Sequence, residues 1–296
     1  RVIETYRLTV IQEGFKGEGT AEKPYTISSA AELLYMSKQM NESYSTTGAG
    51  YNTKYFKQTA DIDLPAVAEG ESNWTPLGKN TDDNKYFRGN YDGDGHVIRG
   101  MVINMPDDYC VGMFGVVAST EIGTDASKTI KNVTLESPRI IGKQHVGAII
   151  GWSYAATIEN CHVTGEAAVY GGNNVGGVVG NNGGVTRACS FSGTVCGGAH
   201  TGGVAGYLSG SSKQIIACYA AGEVKGDNEW HSVGVSNEGV GGVVGSLGKG
   251  TIVGCYSTAK VSSNREESKI GGVIGLQTGT VTVSSRRIFP DTWHRQ

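Results

Sequence analysis

Proline is scarce in this chain, at 6 residues in 296, whereas glycine reaches 46. Glycine without proline excludes a collagen-like strand and a Pro-rich linker. Charge of one sign is also lacking. The 25 Lys and Arg nearly balance 28 Asp and Glu, and no basic run occurs. The electrostatic footprint of a nucleic-acid binder is therefore missing. No apolar stretch reaches the length of a membrane-spanning helix. No signal peptide is visible, and the chain opens on Arg1 rather than Met. The expectation is a processed or excised fragment, which leaves room for a removed export signal.

What is present points to a folded chain. Hydrophobic residues make up 38 %, many of them branched aliphatics, which argues against disorder. The length allows one or two domains with a sizeable core. Glycine at this level in a folded chain implies many tight turns or close backbone approaches.

Internal repeats dominate. Six segments share a Gly-apolar-apolar-Gly core. They are VGMFG closing at Gly115, VGAIIG at Gly151, VGGVVG at Gly180, TGGVAG at Gly206, VGGVVG at Gly245 and IGGVIG at Gly275. The closing glycines lie 36, 29, 26, 39 and 30 residues apart, so the repeats carry unequal insertions. A second element follows each core. Cys161, Cys189, Cys218 and Cys255 share one register in it, with Val133 in the first repeat. Three residues earlier stand Ile130, Ile158, Thr186, Ile215 and Ile252. One residue earlier stand Asn132, Asn160, Ala188, Ala217 and Gly254, all small or turn-prone. Six residues later stand Ala167, Val195, Val224 and Val261, and the first repeat breaks step at Arg139.

Short β-branched runs punctuated by glycine read as strands. Two or three short strands cannot bury an apolar face alone, so repeats must stack and build a core of like on like. Inward residues three apart violate strand alternation unless the chain bends between them. The Asn/Ala/Gly position is that bend, one corner of a coil. The paired glycines suit a second corner, where a side chain would strike the next coil. The predicted fold is all-β: a parallel β-helix, with crossovers favouring a right-handed path. A propeller blade needs more residues than the 26-residue spacing allows. The L-x-x-L-x-L pattern of leucine-rich repeats is absent.

Residues 1–110 lack the repeat. Tyr6, Leu8 and Val10 alternate with polar residues, so 1–13 reads as a leading strand or the remnant of a preceding domain. Ser29 and Glu32 form a capping box, and Ala30, Leu33, Leu34, Met36 and Met40 follow near helical spacing. A short helix over 29–41 is predicted as a cap for the open solenoid end. Segments 55–64 and 73–78 read as early strands. Segment 87–103 reads as strand, turn and strand, with Asp92-Gly-Asp94-Gly95 in the turn. The predicted division is 14–110 for cap and first coils, 111–283 for the repeat solenoid and 284–296 for a tail. In that tail Ser284 is placed at the cysteine register.

The cores Gly112-Met-Phe-Gly115, Gly177-Val-Val-Gly180 and Gly242-Val-Val-Gly245 resemble those of the GLUG-repeat proteins. The ordered N-terminal run, from GEGTAEKPYTISSAAELLYMSKQMN through YFKQTADIDL, WTPLG and FRGNYDGDGHVIRGM, is similar to that family too. The resemblance spans roughly residues 14–283. It implies secreted or surface-anchored bacterial adhesins, and sometimes accessory segments of surface peptidases. It brings no catalytic residue. Asp94 departs from the family's usual Asn in this turn.

The six cysteines invite a disulfide or metal reading. Stacked strands lie about 4.8 Å apart, within disulfide reach. Parallel stacking, however, points the Cβ vectors side by side, so buried free thiols are expected. No C-x₂-C pair supports zinc. Cys110 aligns with a core-flanking valine register, or with a loop if the first core shifts by one. Cys196 follows inward Val195 and is expected to face outward. The Asp92–Gly95 turn lacks the terminal Glu of a calcium loop. Glu159 and Glu166 share a repeat, but no acidic pair recurs as a hydrolase requires. No metal, cofactor or catalytic residue is assigned.

Outward aromatics are the binding candidates. His162, Ser190, Tyr219 and Tyr256 follow the cysteine register. Trp152, Tyr154, Tyr207 and Trp230 lie beyond cores or in insertions, and the insertion 225–239 is expected to protrude. Against this stands the reading that such rows only stabilise exposed sheet. The functional expectation is a non-catalytic, monomeric module at the cell surface that binds a host or neighbouring-cell protein or glycan through Tyr219, Tyr256, Trp230 and Trp152. The alternative is a polysaccharide-active β-helix or an accessory segment of a surface peptidase.

Overall fold

The computed structural model describes residues 14–42, 50–78, 85–118, 128–230, 238–266, 268–279 and 281–284. The leading strand expected in 1–13 and the tail beyond Ser284 lie outside them. The strands form one sheet of 11 and one of 12, and the strand pairs are parallel throughout. A representative coil runs along Ile150–Glu159 in the first sheet and turns at Asn160. It continues along His162–Gly176 in the second sheet and returns through Gly177 and Val178 to Val179–Arg187. This is the predicted parallel β-helix.

Like stacks on like because each coil repeats the backbone path of the last. In the first sheet Phe56, Tyr91, Ile130, Ile158, Thr186, Ile215 and Ile252 pair residue to residue, all inward. In the second, Ile62, Ile98, Leu135, Val163, Phe191 and Ala220 do the same. Each large aliphatic or aromatic side chain so buried contributes about 1.5–3 kcal/mol. The outward neighbours of the first column alternate in charge. Lys57, Asp92, Lys131, Glu159 and Arg187 occupy successive coils, with Lys131–Asp92 at 3.2 Å and Arg187–Glu159 at 2.8 Å.

The bend between the two inward positions is a left-handed residue in five successive coils. Asn132, Asn160, Ala188, Ala217 and Gly254 have φ of 54, 50, 52, 51 and 63°. One such residue repairs the alternation, so Ile158 and Cys161 both point inward although three apart. At the other corner the glycines make room for the neighbouring coil. A methyl on Gly177 would fall on the Phe191 ring and the Gly203 carbonyl, which is why Phe191 fits between two coils.

Register after the cysteines differs from the expectation. Val195 faces Val169, and Val169 faces Ile140, so neither Ala167 nor Arg139 belongs to that column. Residues 164–166 bulge around Gly165, at φ 73°, and absorb two extra residues without changing parity. Ser284 faces Val253, and Val283 stands on Ile252, so Ser284 lies two residues short of the cysteine register.

The helix spans Ala30–Glu42 and buries Leu33, Met36 and Met40 in the cluster that holds Ile27, Phe56 and Trp74. Ser29 Oγ accepts the Glu32 N–H at 3.3 Å. The Glu32 carboxylate reaches one residue further back than expected and accepts the Ser28 N–H at 2.6 Å. Segment 73–78 is not a strand. It is held by the bridge of Leu77 to Phe114, by the backbone bonds of Asn73 N–H to Val102 O and Val116 N–H to Gly78 O, and by side chains. Asn73 Nδ2 donates to Pro65 O and Gly100 O, and buried Trp74 Nε1 donates to Met113 O at 2.9 Å. The strands either side of Asp92–Gly95 fall in different sheets, so this turn is a coil corner.

Candidate functional site

The cysteine column is a hydrogen-bonding column as well as an apolar one. Cys161, Cys189 and Cys218 are buried, Cys255 is half-buried, and all are free thiols. Each thiol faces two carbonyls, one two residues earlier in its own coil and one in the coil before. Cys189 Sγ lies 3.2 Å from Arg187 O in its own coil and 3.7 Å from Ile158 O in the coil before. Cys218 repeats this with Ile216 O at 3.3 Å and Thr186 O at 3.6 Å. Cysteine is thus a small hydrophobe carrying a weak donor, which valine at 133 lacks. Burial pushes the Cys189 thiol well up, which disfavours the nucleophilic thiolate there.

Just outside this column, Tyr219 and Tyr256 occupy adjacent coils. Their rings stack at 5.3 Å with only 7° between planes, and they remain 38 % and 45 % exposed. Two coils back, His162 Nδ1 lies 2.7 Å from Ser190 Oγ and Nε2 lies 3.0 Å from Asn160 Oδ1, so that stretch satisfies itself.

Trp230 does not protrude. Residues 227–230 fold back onto the second sheet. The Asp227 N–H donates to Gly197 O at 2.9 Å, and Trp230 stacks on Tyr170 at 5.6 Å. Cys196 takes the expected outward position, opposite Tyr170 and Lys225. The returning segment leaves it 6 % exposed, and burial pushes its thiol up to about 11. Residues 231–237 of the insertion lie outside the described residues.

Trp152 belongs to a larger array beside the glycine corner. Its ring stacks on Tyr154 at 4.2 Å and meets His145 at 4.7 Å, and Tyr154 stacks on Tyr86 at 6.0 Å. His145 holds a second left-handed corner. Cys110, His145, Asn174 and His200 have φ of 58, 55, 50 and 48° in successive coils, each one residue before a repeat core. Cys110 therefore sits beside His145, not in the valine register. Asn174 Nδ2 lies 2.9 Å from His145 Nδ1. Across the corner, Trp152, Asn181, Tyr207 and Ser246 pair in successive coils. His200 meets Tyr207 at 5.5 Å, as His145 meets Trp152. A cleft of about 400 Å³ opens here, lined among others by Asn173, Asn174, Asn181, His200 and Tyr207. The sequence reading named Trp152 and Tyr207 but missed their partners. The signal was the residue immediately before each core.

Among the described residues no group of three or more His, Cys, Asp or Glu side chains converges as metal ligands. No described helix is long and apolar enough to cross a membrane.

The stacked parallel coils, glycine corners and outward aromatic rows define the class: a β-helical solenoid displaying side chains from a rigid ladder. The GLUG motif is the family model that matches here, over residues 142–169, so the chain carries a GLUG repeat. It is 34 % identical over 176 residues to halomucin of Haloquadratum walsbyi, covering 58 % of this chain and 2 % of halomucin. It is 30 % identical over 196 residues to a provisionally named Gly-rich membrane protein of Evansella cellulosilytica, covering 56 % of this chain and 21 % of that protein. The chain thus spans a small part of either relative. The fold is similar to the crystal structure of a provisionally named immunoglobulin A1 protease from Bacteroides ovatus. The TM-score is 0.67 at 22 % identity, covering 93 % of this chain and 81 % of that one.

Proposed function

We propose that this chain is a non-catalytic binding module of a cell-surface protein. The observation that carries the reading is the set of outward aromatics held at fixed spacing, above all the exposed coplanar Tyr219–Tyr256 pair and the Trp152 array. Aromatic faces provide large contact area at low entropic cost and anchor protein or sugar partners. The relatives named halomucin and Gly-rich membrane protein are in keeping with a cell-surface location. A glycan array combined with a screen of host matrix proteins tests the proposal. Saturable binding to a member of either set supports it, and silence in both refutes it. A second reading, an accessory segment of a surface peptidase, draws on the Bacteroides ovatus neighbour. It predicts a protease domain in the same reading frame and faster cleavage when this segment is present.

A further inference from the structure

We propose that the cleft beside the glycine corner is a binding groove for a neutral oligosaccharide chain lying along the solenoid axis. This deepens the surface-binding reading and rests on it. The argument starts from chemistry. The lining carries aromatic, amide, hydroxyl and imidazole groups and no charged side chain. Burial pushes both His145 and His200 down to about 4, so both rings are neutral at physiological pH. A site without charge that combines ring faces with amides suits hydroxyl-rich, uncharged ligands better than acidic glycans, phosphates or peptides with charged ends.

Spacing supplies the second argument. Trp152 and Tyr207 are two coils apart, about 10 Å at about 4.8 Å per coil, and Asn181 lies between them. The paired corner residues run in the same order: His145, Asn174, His200. The cleft itself is lined by the amides of Asn174 and Asn181 and by Tyr207 with His200, and Trp152 with His145 stands one coil beyond that lining, its ring stacked on Tyr154. One coil step is close to the length of one pyranose unit. Sugar faces stacking on Trp152 and Tyr207 would leave the intervening unit over Asn174 and Asn181.

The third argument is unfinished hydrogen bonding. Asn173 Oδ1, Asn174 Oδ1 and His200 Nδ1 are buried and have no partner among the described residues. Such groups cost about 1–3 kcal/mol each when left unpaired, and native structures retain few. Asn173 and His200 line the cleft and are partly exposed, and χ2 is a soft torsion for both.

The test uses the whole chain. Soluble cello-, xylo-, manno- and N-acetylglucosamine oligosaccharides are titrated calorimetrically and printed on an array, with polygalacturonate and heparin as anionic comparators. At least one neutral series is expected to bind. Trp152→Ala and Tyr207→Ala each weaken binding about tenfold, the effect of losing one aromatic contact. Asn181→Ala weakens it less, and Arg187→Ala, in the outward charge ladder away from the cleft, leaves it unchanged; Tyr219→Ala with Tyr256→Ala probes the other aromatic row. Circular-dichroism melting checks that each variant folds. Hydrogen exchange on the unmodified protein gives an independent readout, with sugar-dependent protection centred on 173–181 and 200–207. Binding lost only with the Tyr219 and Tyr256 variants, or binding of anionic polymers alone, overturns the groove while surface binding stands. A protein partner with no sugar bound does the same. No partner of any kind overturns both.

Discussion

Ala188 and Ala217 hold left-handed corners at φ 52 and 51° where the flanking coils use Asn132, Asn160 and Gly254. Left-handed backbone costs an L-residue with a Cβ about 1–2 kcal/mol. Both alanines are exposed, so removing the methyl forfeits no packing. Glycine returns about 0.4–1 kcal/mol of unfolded-state entropy against folding. The balance predicts that Ala188→Gly and Ala217→Gly each stabilise by about 0.5–1 kcal/mol. In a chain of this size the melting temperature should rise by about 1–4 °C. The two corners are one coil apart, so the double variant need not be additive. Urea unfolding followed by far-UV circular dichroism gives the free energies, with thermal melts as a check. Ala220→Gly is the control. It is fully buried and absent from the left-handed set, so the same chemical change should destabilise there by about 1–2 kcal/mol. A loss of stability in Ala188→Gly comparable to the control would refute the corner argument.

Gly177→Ala should abolish folding or lower the melting temperature sharply, because the new methyl meets both the Phe191 ring and the Gly203 backbone; soluble yield and a thermal melt decide it. Phe191→Ala should cost about 3–5 kcal/mol by opening a cavity in the stack, measured by urea midpoint. His145 has its folded pKa pushed down to about 4 from 6.5 by burial. The unfolded chain therefore binds more protons between those values. Stability from this group is complete above pH 6.5 and is lost as pH falls toward 4, by up to about 3 kcal/mol. His145→Asn should flatten that acid limb, and unchanged pH dependence would contradict it. Native protein should react slowly with a thiol reagent at Cys161, Cys189 and Cys218 at neutral pH, and modification at the rate of an unfolded control would contradict their burial.

Much of the coil was legible because stacking forces equivalent residues into columns. The bend residue, the inward isoleucines and the cysteine register could all be read by aligning repeats. Legibility ended where a coil inserts residues. The bulge at 164–166 moved Val169, not Ala167, opposite Val195. Nothing local in sequence announces it, since Gly165 resembles any other turn glycine. Cys196 was placed on the correct face, but its cover comes from Trp230 and Asp227, some thirty residues away. The thiol-to-carbonyl bonds were also out of reach, because they depend on how the corner brings each sulfur against carbonyls of two coils. Of the four aromatic candidates, Tyr219 and Tyr256 form one pair, Trp152 joins the corner array and Trp230 is occupied by Tyr170. The histidine and asparagine column was visible in principle, one residue ahead of each core, but only after that position is known to be a corner.

The left-handed residue before each of the first four cores fixes the main chain almost independently of which side chain it carries: Cys110, His145, Asn174 and His200 share one conformation. Scaffold and inscription are thereby separated. A lineage can rewrite this row letter by letter, or lengthen the inscription by duplicating a coil, while the slots that hold the letters stay where they are.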